Sequence, residues 1–344
     1  MTEQPAYLCN DADKRYESQE ASVGIPEYDY PVDQCDVPEA RRKTLAEYRL
    51  FRRKCLEYLR GDSDTSVMSQ VHNLTWHTAV FRTLNEARRI EQHREINGAM
   101  WELITAGYAS LMTLGIRRLV DHDPKTNSVW NVINLVERRP ELLTRDIFVC
   151  YDGLPYDHVA SHKKHIDSLD MSGGGYARFI PTKGPDAWAT SHMMHKAFDA
   201  LCGHPQKRSR KDSIQISILI DLKSWLDHPT IKKVCTMADK MVAHSERICE
   251  KAPPVPIATY NDIDEALRII VRVANFLSSS FFYDATFGSV VATPQFDVLN
   301  ALDHPWVTPE DIPTLHRYWR DISDAMDQWA YDTNDGFLPP KAVG

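Results

Sequence analysis

The most constraining feature of the chain is residues 96–120, where apolar side chains occupy nearly every side of a helical wheel. A helix that is apolar all round has to be covered by other elements, so this stretch predicts the central member of a helical bundle. Residues 98–116 also raise the question of a membrane span, because Glu102 is their single charged residue. Glu102 and the small and hydroxyl residues around it weaken that alternative. We therefore expect a buried core helix and no membrane partner.

Two glycines of this helix, Gly107 and Gly115, lie close to one line and predict the close approach of a neighbouring helix. Arg118 falls on the same line, so we expect its guanidinium to be buried. A buried guanidinium needs a partner. The partner is either a nearby carboxylate, such as Asp121 or Asp123, or a ligand phosphate bound in a cleft.

Apolar residues recur at steps of three and four in further segments, with cap residues at several of their ends. The helices predicted in this way span residues 38–59, 63–92, 129–138, 185–202, 262–285 and 309–331. Asp262 is expected to cap its helix, with Glu265 completing a capping box. The run 147–151 (IFVCY) has strand character. The predicted fold class is mainly α: a helical bundle with a long irregular insertion and an extra C-terminal helix.

The order of these segments divides the chain into five predicted parts. They are an extended or mobile N-terminal arm (1–37), the first helical part of the bundle (38–150), an irregular insertion rich in His, Gly and Pro (151–211), the second helical part of the bundle (212–290), and a C-terminal helix with its tail (291–344). No internal repeat interrupts this order.

A formal net charge of −8 argues against a protein that binds nucleic acid over its whole surface, so any such role must rest on local clusters. One cluster is the helix 38–59, whose five Arg and two Lys indicate either a solvated face or a surface for an acidic partner or RNA.

The seven cysteines are odd in number and form no C-x-x-C pair, which predicts reduced thiols. The N-terminal residues lack the basic and apolar regions of a signal peptide. We therefore expect a cytoplasmic protein.

The insertion contains histidines at spacings that could converge on a metal ion. They are His158, His162, His165, His192 and His195. No carboxylate motif such as H-E-x-x-H accompanies them, so a metal hydrolase is the weaker hypothesis. We expect neither a metal nor a cofactor.

The segment ADKMVAHSE (238–246) combines an apolar stripe with a row of cations. On a helical wheel the stripe includes Ala238 and Met241, and His244 lies at its edge. The cations on that edge are Lys233, Lys240 and Arg247. Such a row attracts a phosphodiester, and its field is expected to lower the imidazole pKa so that a neutral base persists. The alternative is a boundary histidine on an ordinary amphipathic helix.

Together with the segment IRRLVD (116–121), ADKMVAHSE resembles the abortive-infection branch of the HEPN family. The resemblance covers residues 63–150 and 212–285. It implies a helical bundle of a kind often found in phage-defence and toxin systems.

Active HEPN ribonucleases are implied to use an arginine, then a polar residue, then a histidine four to six residues beyond the arginine, paired across a dimer. In this chain the polar residue matches Asp239 and the histidine matches His244, whereas Ala238 stands where the arginine is expected. Another cation must therefore stabilise the phosphorane that forms when a 2′-hydroxyl attacks the neighbouring phosphate.

Two hypotheses follow for the function. The first is a metal-independent ribonuclease, or a relic of one, with His244 as acid and base and Asp239 orienting neighbouring groups. The cations expected to hold phosphate are Lys240, Arg117, Arg118, Arg247 and Lys233. The alternative is a non-catalytic helical module that forms a homodimer and binds a protein or nucleotide partner.

Overall fold

The computed structural model describes residues 27–61, 64–90, 97–168, 180–243, 255–284, 289–300 and 308–327. Within these ranges all repeating secondary structure is helical, and the one β-type pairing is an isolated antiparallel bridge between Thr144 and Ser213. The predicted mainly α fold class is thereby confirmed. The chain divides into two compact units, Met1–Thr293 and Pro294–Gly344.

The described residues form eleven α-helices, ten in the first unit and one in the second. They are α1 (Arg42–Arg60), α2 (Val67–Ile90), α3 (Gly98–Leu119), α4 (Val129–Arg138), α5 (Arg145–Cys150), α6 (His158–Asp167), α7 (Trp188–Leu201), α8 (Ile216–Leu226), α9 (Pro229–Met237), α10 (Tyr260–Phe276) and α11 (Ile312–Asp327). Two π-helical segments, Ala238–Ala243 and Leu277–Phe281, directly continue α9 and α10.

Helix α3 packs against α2, α9 and α10, which confirms its predicted place inside the bundle. Its C-terminal half is well covered, since Met112, Ile116 and Leu119 are fully buried. Its N-terminal half is open on one side, where Leu103 and Leu111 are exposed. The expectation that α3 is covered all round is therefore wrong for this half, because folded proteins tolerate scattered apolar side chains at their surface.

In the part of the chain that the structure describes, no helix is long and apolar enough to cross a membrane.

The two glycines of α3 are expected to respond oppositely to substitution. A Cβ built on Gly115 would lie 2.5 Å from Cδ2 of Leu74 on α2, whereas one built on Gly107 would meet no atom within 4 Å. We expect Gly115→Ala to destabilise the fold by about 1–2 kcal/mol, because the buried Leu74 side chain has to move. Gly107→Ala is the matched control and should stabilise by up to about 1 kcal/mol through helix propensity. Urea unfolding measures both changes, and a Gly115→Ala variant as stable as the native protein would contradict the close approach.

The strand character of the run 147–151 is a wrong prediction, because residues 147–150 form the end of helix α5 and Tyr151 is its C-cap. All six residues of α5 are buried. A short run buried on every side has no periodicity that separates a strand from a helix.

The insertion is also more regular than expected, because it contains helix α6 in addition to the predicted helix α7. Helix α6 begins after Asp157, whose carboxylate accepts hydrogen bonds from the backbone N–H groups of Val159 and Ala160.

Two of the arginines of α1 hold other segments of the chain in place. Arg49 and Arg52 are buried. Arg49 donates hydrogen bonds to the carbonyl oxygens of Tyr30 and Tyr151 at 2.7 and 2.8 Å. Arg52 donates to the carbonyl oxygen of Phe282 at 2.7 Å. These two guanidinium groups connect distant chain segments, so neither a solvated face nor an RNA surface describes them.

Candidate functional site

The candidate motif begins where α9 passes into the π-helical segment Ala238–Ala243. Ala238 is fully buried at 0% exposure, as the apolar stripe predicted. Met241 was placed on the same buried stripe, but it is 48% exposed. The i→i+5 hydrogen bonding of a π-helix puts more residues in each turn than an α-helix has. A helical wheel drawn for an α-helix therefore misplaces the residues after Ala238, including Met241. Such segments occur frequently at functional sites.

His244 and Arg247 lie outside the described residues, so their predicted roles remain predictions. The described part of the motif ends at Ala243. The site is therefore defined by Asp239 and Lys240, and by the side chains that contact them.

Arg117 of α3 reaches the motif from a distant part of the chain. Its Nε donates a hydrogen bond of 3.0 Å to Oδ1 of Asp239, and its Nη1 donates one of 2.5 Å to Oδ2 of Asp121. The hydrogen bond to Asp239, aided by the Asp121 charge, raises the pKa of the Arg117 guanidinium, which stays charged at neutral pH. Nη2 makes no hydrogen bond with a described residue, and the side chain is 38% exposed. One edge of the guanidinium thus makes no hydrogen bond with the described residues.

Arg118 was expected to be buried, and it is exposed. Ile116 and Leu119 occupy the buried side of α3 at this point. Successive helix residues point about 100° apart, so Arg118 is turned towards solvent. Asp121, one of the carboxylates expected to pair with Arg118, pairs with Arg117 instead. Phosphate binding by Arg118 remains a prediction.

Lys233 is used in the cap of helix α10. Its Nζ lies 2.7 Å from Oδ2 of Asp262, and the same oxygen accepts a hydrogen bond of 2.8 Å from the backbone N–H of Thr259. The capping box therefore joins Thr259 and Asp262, one turn earlier than the expected pair of Asp262 and Glu265. The hydrogen bond from Lys233 lowers the pKa of Asp262 to about 2. A phosphate bound at Lys233 would have to displace this carboxylate.

Two further groups accompany Asp239. Lys240 is half-buried and already takes part in a polar or electrostatic contact. Cys235 lies one turn before Asp239, where burial, followed by the Asp239 charge, raises the pKa of its thiol to about 11. A thiol that stays protonated at neutral pH is a poor nucleophile, so Cys235 does not suggest cysteine chemistry.

The histidines of the insertion meet only in part. Nε2 of His158 lies 3.1 Å from Nδ1 of His192, and the His195 ring packs beside His158. Nε2 of His195 donates a hydrogen bond of 2.9 Å to the carbonyl oxygen of Tyr156, so this nitrogen is occupied. Across the described ranges, no three potential ligands from His, Cys, Asp or Glu are placed to hold a metal ion.

Acid should weaken the fold through His195. Burial lowers its pKa to about 4, against about 6.5 in an unfolded chain. At a pH between these two pKa values, only the unfolded state binds the proton. The contribution of His195 to the free energy of unfolding is therefore complete above pH 6.5 and is lost progressively as the pH drops towards 4. Each pH unit below 6.5 costs about 1.4 kcal/mol, so the free energy of unfolding should be about 2–3 kcal/mol lower at pH 4.5 than at pH 7. Urea unfolding at pH 7 and pH 4.5 measures it.

The control for this effect is His195→Gln, which keeps a donor for the Tyr156 carbonyl but cannot titrate. We expect this variant to lose much less stability than the native protein over the same pH interval. Equal losses in both proteins would show that other groups, and not His195, cause the acid sensitivity.

The sequence placed a buried arginine at position 118, whereas the structure buries Arg145 at the start of α5. Arg145 contacts the carboxylates of Asp199 and Asp212 at 2.8 and 2.7 Å. No local signal pointed to this network, because Asp199 and Asp212 lie 54 and 67 residues beyond Arg145 in the chain. Its role is structural, since it joins α5 and α7 to the segment before α8.

A comparison with models of protein families matched residues 66–301 to HEPN_AbiU2, the AbiU2 family of HEPN proteins. The match covers more than half of the chain and includes α2 to α10 together with the candidate motif. Comparisons with curated proteins and with solved structures found no match.

Proposed function

The chain belongs to the AbiU2 family of HEPN proteins, and we propose that it acts as a metal-independent endoribonuclease of a phage-defence system. The sequence-based assignment to the abortive-infection branch of the HEPN superfamily is confirmed by this membership. The ribonuclease activity is our inference, and it depends on the geometry around Asp239.

The observation that carries the proposal is the contact between Arg117 and Asp239. The motif arginine of active HEPN ribonucleases is absent, and Ala238 at its place is fully buried. A long cationic side chain at that position would point into the core, where a charge is unfavourable. Arg117 brings a guanidinium to within 3.0 Å of the polar motif residue from a different helix. The charge that the motif lacks in sequence is thus supplied from α3.

The chemistry assigned to these groups needs a base, an acid and a fixed cation. One His244 imidazole accepts the proton of a 2′-hydroxyl as its oxygen attacks the adjacent phosphorus. A second His244, from another copy of the chain in a homodimer, protonates the departing 5′-oxygen. Arg117 donates hydrogen bonds to the phosphorane oxygens through Nη2, which makes no hydrogen bond with a described residue. The products are a 2′,3′-cyclic phosphate and a 5′-hydroxyl end.

The test is incubation of the purified full chain with single-stranded RNA in the presence of EDTA. We expect cleavage with cyclic-phosphate ends, and at least about a hundredfold loss of rate in His244→Ala, as for removal of a general acid or base. His165→Ala, at a half-buried position of α6 outside the motif, is the matched control and should cleave normally. Intact RNA after prolonged incubation with several substrates would reject the proposal.

A second candidate is a non-catalytic dimeric module that binds a protein or nucleotide partner. It is favoured by the charge balance of the site, because Arg117 contacts two carboxylates and Lys233 contacts one. The group of Arg117, Asp121 and Asp239 carries a net negative charge, which repels a phosphate.

The two candidates differ in what His244→Ala does. In the non-catalytic module the variant should bind its partner with native affinity, while substitutions in the dimer interface should abolish binding. A strictly monomeric protein at all concentrations would count against both candidates, since each requires a pair of chains.

A further inference from the structure

Helix α6 packs on α7 with little apolar burial. None of its residues is buried, and its two large aliphatic side chains, Val159 and Ile166, are 67% and 45% exposed. Removal of apolar surface from water is the main force that holds most helices in place. The attachment of α6 therefore depends mainly on contacts of its polar and aromatic side chains.

Histidines take part in these contacts from both helices. Nε2 of His158 on α6 lies 3.1 Å from Nδ1 of His192 on α7. One turn further along each helix pair, the ring centroids of His162 and Trp188 are 3.9 Å apart. Because an imidazole takes up a proton in mild acid, an attachment of this composition responds to pH.

The contact between His158 and His192 holds only while one of the two facing nitrogens lacks a proton. One ring then donates its N–H to the other, and a single imidazolium beside a neutral imidazole still forms this hydrogen bond. When both rings are charged, both facing nitrogens are donors, and two positive charges repel each other at close range. The docked pair therefore holds one added proton at most, whereas two separated rings each bind one.

The groups around His158 do not favour a second charge. Burial, followed by the charges of His192 and Arg208, lowers the pKa of His158, and Asp157 acts in the opposite direction. Asp157 already accepts hydrogen bonds from two backbone N–H groups at the start of α6. The other titratable groups of α6 and of the segment before α7 are Lys163, Lys164, His165, Asp167 and Asp186.

The buried side of the pair belongs to α7. The His195 ring centroid lies 5.2 Å from that of His158, and burial lowers the pKa of His195 to about 4, so this ring is largely neutral in mild acid. Behind it, Arg145 of α5 and Arg208 both contact the Asp199 carboxylate, at 2.8 and 2.6 Å. These fixed charges do not titrate in mild acid. Lys196, the remaining cation of α7, is exposed.

The other contacts of α6 should persist in mild acid. Protonation of His162 leaves a cation beside the Trp188 indole, which is a favourable arrangement. The hydroxyl of Ser161 donates a hydrogen bond of 3.1 Å to the carbonyl oxygen of Pro185, and neither group titrates. The acid-sensitive contact of this helix is therefore the pair of His158 and His192.

We propose that the His158–His192 pair makes the attachment of α6 to α7 a pH-sensitive switch, in which α6 separates from α7 when both rings are charged. The proposal goes beyond the ribonuclease activity and does not depend on it. Separation takes up one proton more than the docked state holds. Each pH unit below about 6.5 should therefore raise the equilibrium constant for separation by up to about tenfold.

The test is hydrogen exchange of the full chain, measured by mass spectrometry at pH 7 and at about pH 5, with rates corrected for the intrinsic effect of pH on exchange. EDTA in every sample keeps divalent metal ions off the two facing nitrogens. We expect the α6 amides to lose protection by about tenfold or more at the lower pH. They should also exchange faster than the amides of α4, whose exchange reflects opening of the whole fold because its apolar face is buried.

The decisive variant is His192→Gln, whose side-chain amide still pairs with His158 but takes up no proton. In this variant α6 should keep its protection at the lower pH to within about threefold, while α4 responds as in the native protein. His158→Gln replaces the other ring and should give the same result. Protection of α4 at pH 7 shows that each variant is folded.

The matched control is His165→Gln, which removes a titratable ring from α6 outside the pair and should keep the native response of α6. Three outcomes would overturn the proposal. They are native α6 protection that is equal at the two pH values, a His192→Gln variant that loses α6 protection as the native protein does, and α6 amides that exchange only as slowly as those of α4.

Discussion

Replacing Arg117 with alanine is expected to slow RNA cleavage by about 100- to 1,000-fold, the usual effect of removing one donor that stabilises a developing oxyanion. The physical reason is the position of the guanidinium, which is held at 3.0 Å from Asp239 and at 2.5 Å from Asp121, while its Nη2 makes no hydrogen bond with a described residue. The measurement is the single-turnover rate on single-stranded RNA in EDTA. Arg117→Lys should recover only part of the rate, because an ammonium group cannot contact two oxygens with a planar fork.

The chain offers a closely matched control for this experiment. Arg139 also contacts two carboxylates, those of Glu141 at 2.5 Å and Glu47 at 2.9 Å, and its side chain is 45% exposed. Arg139→Ala removes the same kind of surface network without touching the motif, so cleavage should be unchanged. If Arg117→Ala cleaves at the native rate while His244→Ala is inactive, another cation stabilises the transition state. If both arginine variants lose activity equally, the effect is one of stability.

Replacing Arg145 with alanine should destabilise the fold by about 3–5 kcal/mol, the range for breaking a buried ion pair from one side. Arg145 is fully buried, and its guanidinium contacts Asp212 at 2.7 Å and Asp199 at 2.8 Å. Although burial opposes the charge, the hydrogen bonds to Asp212 and Asp199 raise the pKa of Arg145. After the substitution, Asp199 keeps Arg208 at 2.6 Å, but Asp212 loses its arginine partner. Urea unfolding of the native and variant proteins measures the difference.

Arg139→Ala is again the control, because exposed ion pairs contribute about 0–1 kcal/mol. We expect a change of less than 1 kcal/mol at that position. An Arg145→Ala variant that unfolds at the same urea concentration as Arg139→Ala would show that the buried network adds no net stability.

The helices that the sequence predicted well are those with one apolar stripe and a recognisable end. Helix α4 has the predicted bounds, and α7 differs from its predicted range by a few residues, because periodicity and caps are local signals. Helix α5 was mistaken for a strand, since a run buried on every side carries no period. Helix α6 was missed, although the cap residue Asp157 was available as a signal.

For the candidate site, the sequence alone predicted Asp239, the alanine in place of the motif arginine, and a row of cations, because these follow from neighbouring positions in one segment; the role of the cations stays a prediction. It also determined the mainly α class, because helical periodicity is set by residues a few positions apart. Only the tertiary structure decided which cation reaches Asp239, and it selected Arg117 over Arg118, because the packed side of α3 turns one side chain to the motif and the other to solvent. The same holds for the buried arginine, since the position of Arg145 depends on two carboxylates that folding brings together from distant parts of the chain.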